Sequence, residues 1–202
     1  MDRRLFLWGL SNGATVLALA GAFWIGLGVG MVAKLVHWGV SACGTILELG
    51  GAVGLIWAAA RLRRRTGFAR SQLRQLEGVA QAQKRYIVSR MTWTILGQTT
   101  LIALAVWICV RVRAEHLIWS SIGAIVSLHF APLGRLFHLR AYYATAIAGT
   151  LTCAAGFAAS GTPYGLAGLG VAMAAVMWIS AAYILINAGQ IADRACAEDW
   201  AV

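Results

Sequence analysis

The chain is a series of long apolar runs separated by short polar or basic segments. Uncharged runs of roughly 18 residues or more are typical of membrane-spanning helices, since soluble helices carry a narrower apolar stripe. The sequence therefore predicts an all-α membrane protein with six transmembrane helices, in a single domain that covers residues 1–202. The predicted spans are 7–29, 37–60, 91–110, 116–137, 141–159 and 164–188, and a basic cytoplasmic loop occupies 61–90.

The segment 66–90 is the only sizeable polar stretch. Ala69, Leu73, Leu76 and Ala80 recur in it at helical spacing, with basic residues and glutamines between them. Two structures fit this pattern: an amphipathic helix on the membrane surface, or a cytoplasmic extension of the third span. The sequence leaves both open.

The distribution of lysine and arginine predicts the orientation. With the N-terminus inside, the inner segments hold 14 of these residues and the outer turns hold 3. The positive-inside rule then places both termini in the cytoplasm, so that the six spans form three hairpins. The net charge of +10 is explained in the same way, because the basic residues lie at the ends of apolar runs. This pattern excludes a nucleic-acid partner.

The first two hairpins resemble each other. The stretch WGLSNGATVLALA at 8–20 aligns without a gap with WTILGQTTLIALA at 93–105. In their second helices, His37 and Ser41 fall on His116 and Ser120. Self-similarity at a fixed offset indicates repeated units, so we expect a duplication. Each unit contains two spans, and the two copies are therefore parallel rather than inverted.

Two ionisable residues lie deep in the apolar runs. Glu48 and His129 are about 16 and 20 Å below the outer ends of their spans, close to the middle of the hydrocarbon core. A charge at that depth is costly, so such residues are paired, protonated or hydrated, and they often mark a transport or proton site. Three further polar residues lie toward the inner thirds of their spans and would extend a path to the cytoplasm: Asn12, Gln98 and Asn187. The alternative is that these side chains only hydrogen-bond helices together.

Pro132 follows His129 by three residues and would bend the fourth helix as a hinge. Basic residues near the predicted cytoplasmic ends could contact anionic lipid headgroups. They are Arg61, Arg63, Arg64, Arg65, Arg135 and Arg140.

Other chemistry is sparse. The four cysteines are far apart and have no metal-ligand spacing, so we expect neither a metal nor another cofactor. The absence of GxSxG, HExxH and phosphate-loop motifs disfavours an enzyme. The glycine pairs 26/30 and 50/54 fit close helix packing within one chain or in a homo-oligomer. Tryptophans near the predicted span ends, such as Trp57, Trp93, Trp107 and Trp178, indicate an aromatic belt.

The run HFAPLGRLF at 129–137, followed by Tyr142 and Tyr143, resembles a motif at the end of the fourth helix in a group of uncharacterised small bacterial six-span integral membrane proteins. This resemblance implies the bacterial inner membrane and adds no activity.

The residues favour a small-solute or proton-coupled transporter or channel with Glu48 and His129 as its central groups. A non-catalytic accessory or interaction subunit is the alternative. A lipid-modifying enzyme would require a polar cavity that opens to the inner leaflet near His129, Arg135 and His138.

Overall fold

A computed structural model describes residues 3–32, 38–65, 78–137, 139–162 and 164–199. These residues form six α-helices and one short 3₁₀ turn, which confirms the all-helical prediction. The helices are α1 (Arg3–Val32), α2 (Trp38–Arg65), α3 (Gly78–Arg111), α4 (Ile118–Phe137), α5 (Arg140–Ala159) and α6 (Gly165–Asp199), and the turn covers Glu115–Leu117.

Four stretches within the described residues are long and apolar enough to cross a membrane. They are Gly9–Met31, Arg85–Arg111, Glu115–Phe137 and Gly165–Ala188. A shorter apolar stretch, Leu49–Leu62, lies in α2. Helix α5 is rich in alanine, glycine, threonine and tyrosine and is not among the four. The chain is thus an all-α protein of the multi-pass membrane type.

The basic segment between α2 and α3 is helical at both ends. Helix α2 continues through Arg65, and α3 begins at Gly78, 13 residues before the predicted span. No proline or glycine interrupts residues 79–96, and alanine, glutamine, lysine and arginine all favour helix. Residues 78–90 therefore extend the third helix, whereas Ala69, Leu73 and Leu76 lie outside the described residues.

Helices α1 and α6 form the central antiparallel pair. Their backbones touch at Gly28 and Gly170, where a Cβ on Gly170 would lie 2.7 Å from the Gly28 Cα. At the other end of the contact, the Trp178 indole donates a hydrogen bond to the Ala18 carbonyl at 3.1 Å. Gly21 leaves the space that this indole occupies. Trp178 is therefore a packing residue and not part of an aromatic belt, because glycine opposite it opens a slot for the ring.

Helices α4 and α5 pack antiparallel through small residues. The facing pairs are Ser120 with Gly156, Gly123 with Cys153, and Ser127 with Gly149. Residue numbers in these pairs rise along α4 and fall along α5, as antiparallel packing requires. Small residues at such positions allow the close backbone approach that drives helix association in lipid. A hydrogen bond of 2.7 Å from Thr145 to Ser180 then ties α5 to α6.

Three of the four glycines that the sequence singled out do not mediate these contacts. A Cβ at Gly30, Gly50 or Gly54 would have no neighbour within 4 Å. On α2 the last two lie in an exposed stripe with Leu49 and Val53. Close packing inside the chain uses Gly28 and its partner on α6 instead.

Helix α3 lies at the periphery. Only 6% of its most apolar window is buried, and its described neighbours are α4 and the 3₁₀ turn. Trp93 and Trp107 are exposed on it. The Arg111 guanidinium lies 5.5 Å from the centre of the Trp107 ring, and Arg61 lies 5.2 Å from that of Trp57 on α2. Trp57 and Trp107 are thus each paired with an arginine one helical turn further along the chain.

Candidate functional site

A groove of about 410 Å³ separates α1 from α3. It exists because α3 packs on α4, whereas α1 packs mainly on α6 and α2. We call it the α1–α3 groove. Its lining includes Asn12, Val16, Phe23 and Trp24 of α1, Val88, Met91, Ile95 and Gln98 of α3, Val126, His129, Phe130 and Phe137 of α4, and Tyr142 of α5.

The floor of the groove is aromatic and buried. Trp24, Phe130, Phe137 and Tyr142 are each at most 5% exposed. The Phe130 and Tyr142 rings are nearly parallel, with an interplanar angle of 10° and centroids 6.0 Å apart. Gly13 provides the space on α1 that the Tyr142 hydroxyl occupies. These contacts hold α1, α4 and α5 together beneath the groove.

The rim of the groove is apolar and exposed. Val16 and Phe23 form the α1 side, and Val88 and Ile95 form the α3 side. Exposed rim residues above a buried floor mean that the groove opens sideways. In a bilayer this opening faces lipid, since both rims belong to stretches that are apolar enough to span.

Three of the polar residues predicted from the sequence line this groove together: Asn12, Gln98 and His129. They come from three different helices. The His129 imidazole lies close to the backbone of Thr94 on α3, beside the groove. Neither the Asn12 nor the Gln98 amide hydrogen-bonds to another residue in the described ranges. Both amides are therefore free to bind a ligand.

The helix register places Asn12 and Gln98 each about one helical turn from His129. Gly9 of α1 lies against Phe137, and Phe23 lies beside Trp119, so α1 and α4 run antiparallel. Between these two contacts Asn12 falls within about one helical turn of His129. On α3, Gln98 is four residues, again about one turn, beyond the Thr94 contact. Asn12 lies toward the Phe137 end and Gln98 toward the Trp119 end, so the polar zone spans about two helical turns centred on His129.

The other two predicted polar residues are Glu48 and Asn187. Glu48 lies in α2, but its side chain is outside the described residues, and no described residue of α2 lines the groove. Asn187 is on α6, where its amide donates a hydrogen bond of 2.8 Å to the Tyr183 carbonyl. Asn187 therefore has a local partner and is not part of the groove.

Pro132 lies on the exposed side of α4, three residues after His129. The helix continues past it to Phe137. Proline cannot donate the backbone hydrogen bond to the carbonyl four residues earlier, so the Leu128 carbonyl loses its usual partner just before the polar zone.

Four of the predicted headgroup contacts are exposed: Arg61, Arg64, Arg135 and Arg140. The side chains of Arg63 and Arg65, together with His138, lie outside the described residues. Arg61 and Arg64 lie near the C-terminal end of α2, Arg135 near that of α4, and Arg140 at the N-terminal end of α5.

Sequence reasoning missed the aromatic floor. Trp24 reads as an ordinary apolar residue, and Phe130, Phe137 and Tyr142 stand out only as parts of a motif. A usable signal is the buried tyrosine opposite a glycine, but that pairing spans 129 positions of sequence and becomes visible only in the fold.

No protein-family model, curated protein or solved structure matches this chain. Its function is therefore inferred from the groove and from the membrane character of its helices.

Proposed function

We propose that this chain is a multi-pass membrane protein that binds a small solute in the α1–α3 groove and transports it, with proton movement coupled through His129. One observation carries the proposal: Asn12, Gln98 and His129, which the sequence singled out separately, line one cavity. Its volume of about 410 Å³ lies within the range of small-molecule pockets, about 300–1,000 Å³.

The energetics support a functional role for these residues. An amide without a partner in an apolar site costs about 1–3 kcal/mol by mutational measures. Asn12 and Gln98 are partly exposed on helices that are apolar enough to span, so both would carry this cost in contact with lipid. Leucine at either position would remove it and suit a purely structural membrane helix. Residues that are expensive for stability and converge on a cavity are best explained by what they bind.

The test is proton flux in proteoliposomes. The purified protein is reconstituted, a potassium diffusion potential is imposed, and internal pH is followed with a trapped dye. We expect His129→Ala to lower the initial rate about tenfold, the effect of about 1.4 kcal/mol. The matched control is His116→Ala, since His116 is exposed in the 3₁₀ turn and does not line the groove. Glu48→Gln tests the second ionisable group of the proposed proton path.

Two results would count against transport. If wild-type vesicles conduct no more protons than protein-free vesicles do, the proposed transport activity is refuted. If His129→Ala and His116→Ala vesicles conduct protons at equal rates, any proton conductance does not depend on the groove.

The second candidate function is a non-catalytic accessory or interaction subunit. It is favoured by the exposure of α3 and by Gly50 and Gly54, which face open space on α2. A homo-oligomer formed through this α2 stripe is one form of it. Bulky Gly50→Leu would then dissociate an oligomer that is seen by light scattering in detergent. Gly97→Leu, at another glycine with open surroundings, is the control.

The proposal includes six spans with both termini in the cytoplasm, a parallel duplication of the first two hairpins, and location in a bacterial inner membrane. The charge distribution of 14 inner and 3 outer basic residues supports the orientation, and the resemblance of the 129–143 stretch supports the location. The exposed arginines would contact anionic lipids at the cytoplasmic face. A C-terminal fluorescent-protein fusion tests the orientation, since it should be bright, whereas a C-terminal alkaline phosphatase fusion should be inactive.

A further inference from the structure

We infer that the α1–α3 groove takes its ligand from the bilayer, and that this ligand is an uncharged lipophilic molecule with one carbonyl or hydroxyl group flanked by apolar parts. The inference rests on the proposed function, because it names the substrate class of the same site. It follows from the direction of the opening, the charge of the lining and the height of the polar zone.

The opening determines the route of entry. The exposed rim residues Val16 and Ile95 stand on two apolar helices, and the buried floor closes the groove toward the protein interior. A molecule that partitions into lipid reaches this opening directly. A water-soluble solute would first have to cross the apolar rim, which lacks polar groups.

The lining determines the charge. Among the described side chains, no Asp, Glu, Lys or Arg lines the groove, and the described ionisable lining residues are His129 and Tyr142. A charged ligand would be transferred from water without a counter-ion, which is very costly at this depth. An uncharged ligand avoids this cost.

The polar zone determines where the ligand carries its polar group. Along α4 the lining runs from Ile122 to Phe137, about 22 Å, and His129 lies near the midpoint. The Asn12 and Gln98 amides, which have no other partner among the described residues, can donate to a carbonyl or accept from a hydroxyl. Apolar lining on both sides of this zone fits apolar groups on both sides of that carbonyl or hydroxyl.

Benzophenone tests this chemistry directly, since it is uncharged, carries one carbonyl between two apolar rings, and inserts into nearby C–H bonds when irradiated. The full-length protein in phosphatidylcholine vesicles is irradiated with increasing benzophenone, and labelled peptides are identified by mass spectrometry. We expect saturable labelling at groove residues, including Met91. Benzhydrol, which carries a hydroxyl in place of the carbonyl, should compete with benzophenone for the groove and lower the labelling. Diphenylmethane, which lacks the oxygen, should compete at least about threefold less well than benzhydrol.

Two pairs of variants make the result specific. Ile95→Trp fills the rim and should lower labelling of Met91 about fivefold or more. Leu96→Trp is the matched control, because both residues are 52% exposed but only Ile95 lines the groove. Gln98→Leu keeps the side-chain volume and removes its hydrogen bonds, so the half-saturating concentration should rise about three- to tenfold.

Labelling that is non-saturable, or equal in Ile95→Trp and Leu96→Trp, would overturn the inference and show simple partitioning into lipid. An unchanged half-saturating concentration in Gln98→Leu would overturn the role of the polar zone. These outcomes are separable from the failure of transport: flux that depends on His129 without saturable labelling leaves transport standing with another substrate class. Saturable labelling without flux leaves the binding site standing and removes transport.

Discussion

The direct contact of α1 with α6 makes a specific prediction about stability. A Cβ at residue 170 would lie 2.6 Å from the Trp24 carbonyl oxygen and 2.7 Å from both N and Cα of Gly28. All of these are backbone atoms, so no side-chain rotation relieves the overlap. To restore the 3.5–4.0 Å typical of non-bonded contacts, Gly170→Ala must move the two helices apart by about 1 Å.

The size of the effect follows from this geometry. Over-packing a close contact costs about 1–3 kcal/mol, and separation of α1 from α6 also weakens dispersion contacts that lipid does not replace. Gly168 is two residues away on the same helix, and a Cβ there has no neighbour within 4 Å. Gly168→Ala should stabilise the helix by about 0.5–1 kcal/mol, because alanine loses less backbone entropy than glycine. The two variants should therefore differ by about 1.5–4 kcal/mol.

The assay is unfolding in mixed micelles with increasing SDS, followed by far-ultraviolet circular dichroism. Wild type, Gly168→Ala and Gly170→Ala are compared at equal protein and detergent concentration. If Gly170→Ala is as stable as Gly168→Ala, the backbones of α1 and α6 do not touch at Gly170, and the two helices do not form the central pair.

The same assay checks two other contacts. Trp178→Phe loses the hydrogen bond to the Ala18 carbonyl and part of the ring volume, so it should cost about 1–2 kcal/mol. The exposed Trp107→Phe should change stability by less than about 0.5 kcal/mol, and equal effects of the two would contradict the packing role of Trp178. In a double-mutant cycle, Thr145→Val and Ser180→Ala should couple by about 0.6 kcal/mol, the average for such bonds in a membrane protein; additive effects would mean that their 2.7 Å hydrogen bond contributes nothing.

Polar residues were the most informative part of the sequence. Asn12, Gln98 and His129 stand out because lipid makes a polar side chain costly wherever it occurs, and the structure brings these three to one groove. The same reasoning selected Asn187, which instead bonds to the Tyr183 carbonyl on its own helix. Composition cannot distinguish these cases, because a local backbone carbonyl and a shared cavity satisfy an amide equally well.

The sequence by itself determined the all-helical class and the approximate extent of the long apolar helices, because backbone hydrogen bonding in lipid leaves few other structures for long apolar runs. It did not determine which glycines touch. Gly28 and Gly170 meet, whereas Gly50 and Gly54 face open space, because contact depends on how two distant helices are rotated and placed. The tertiary structure alone also decided that α3 stands away from α1, and that separation creates the groove.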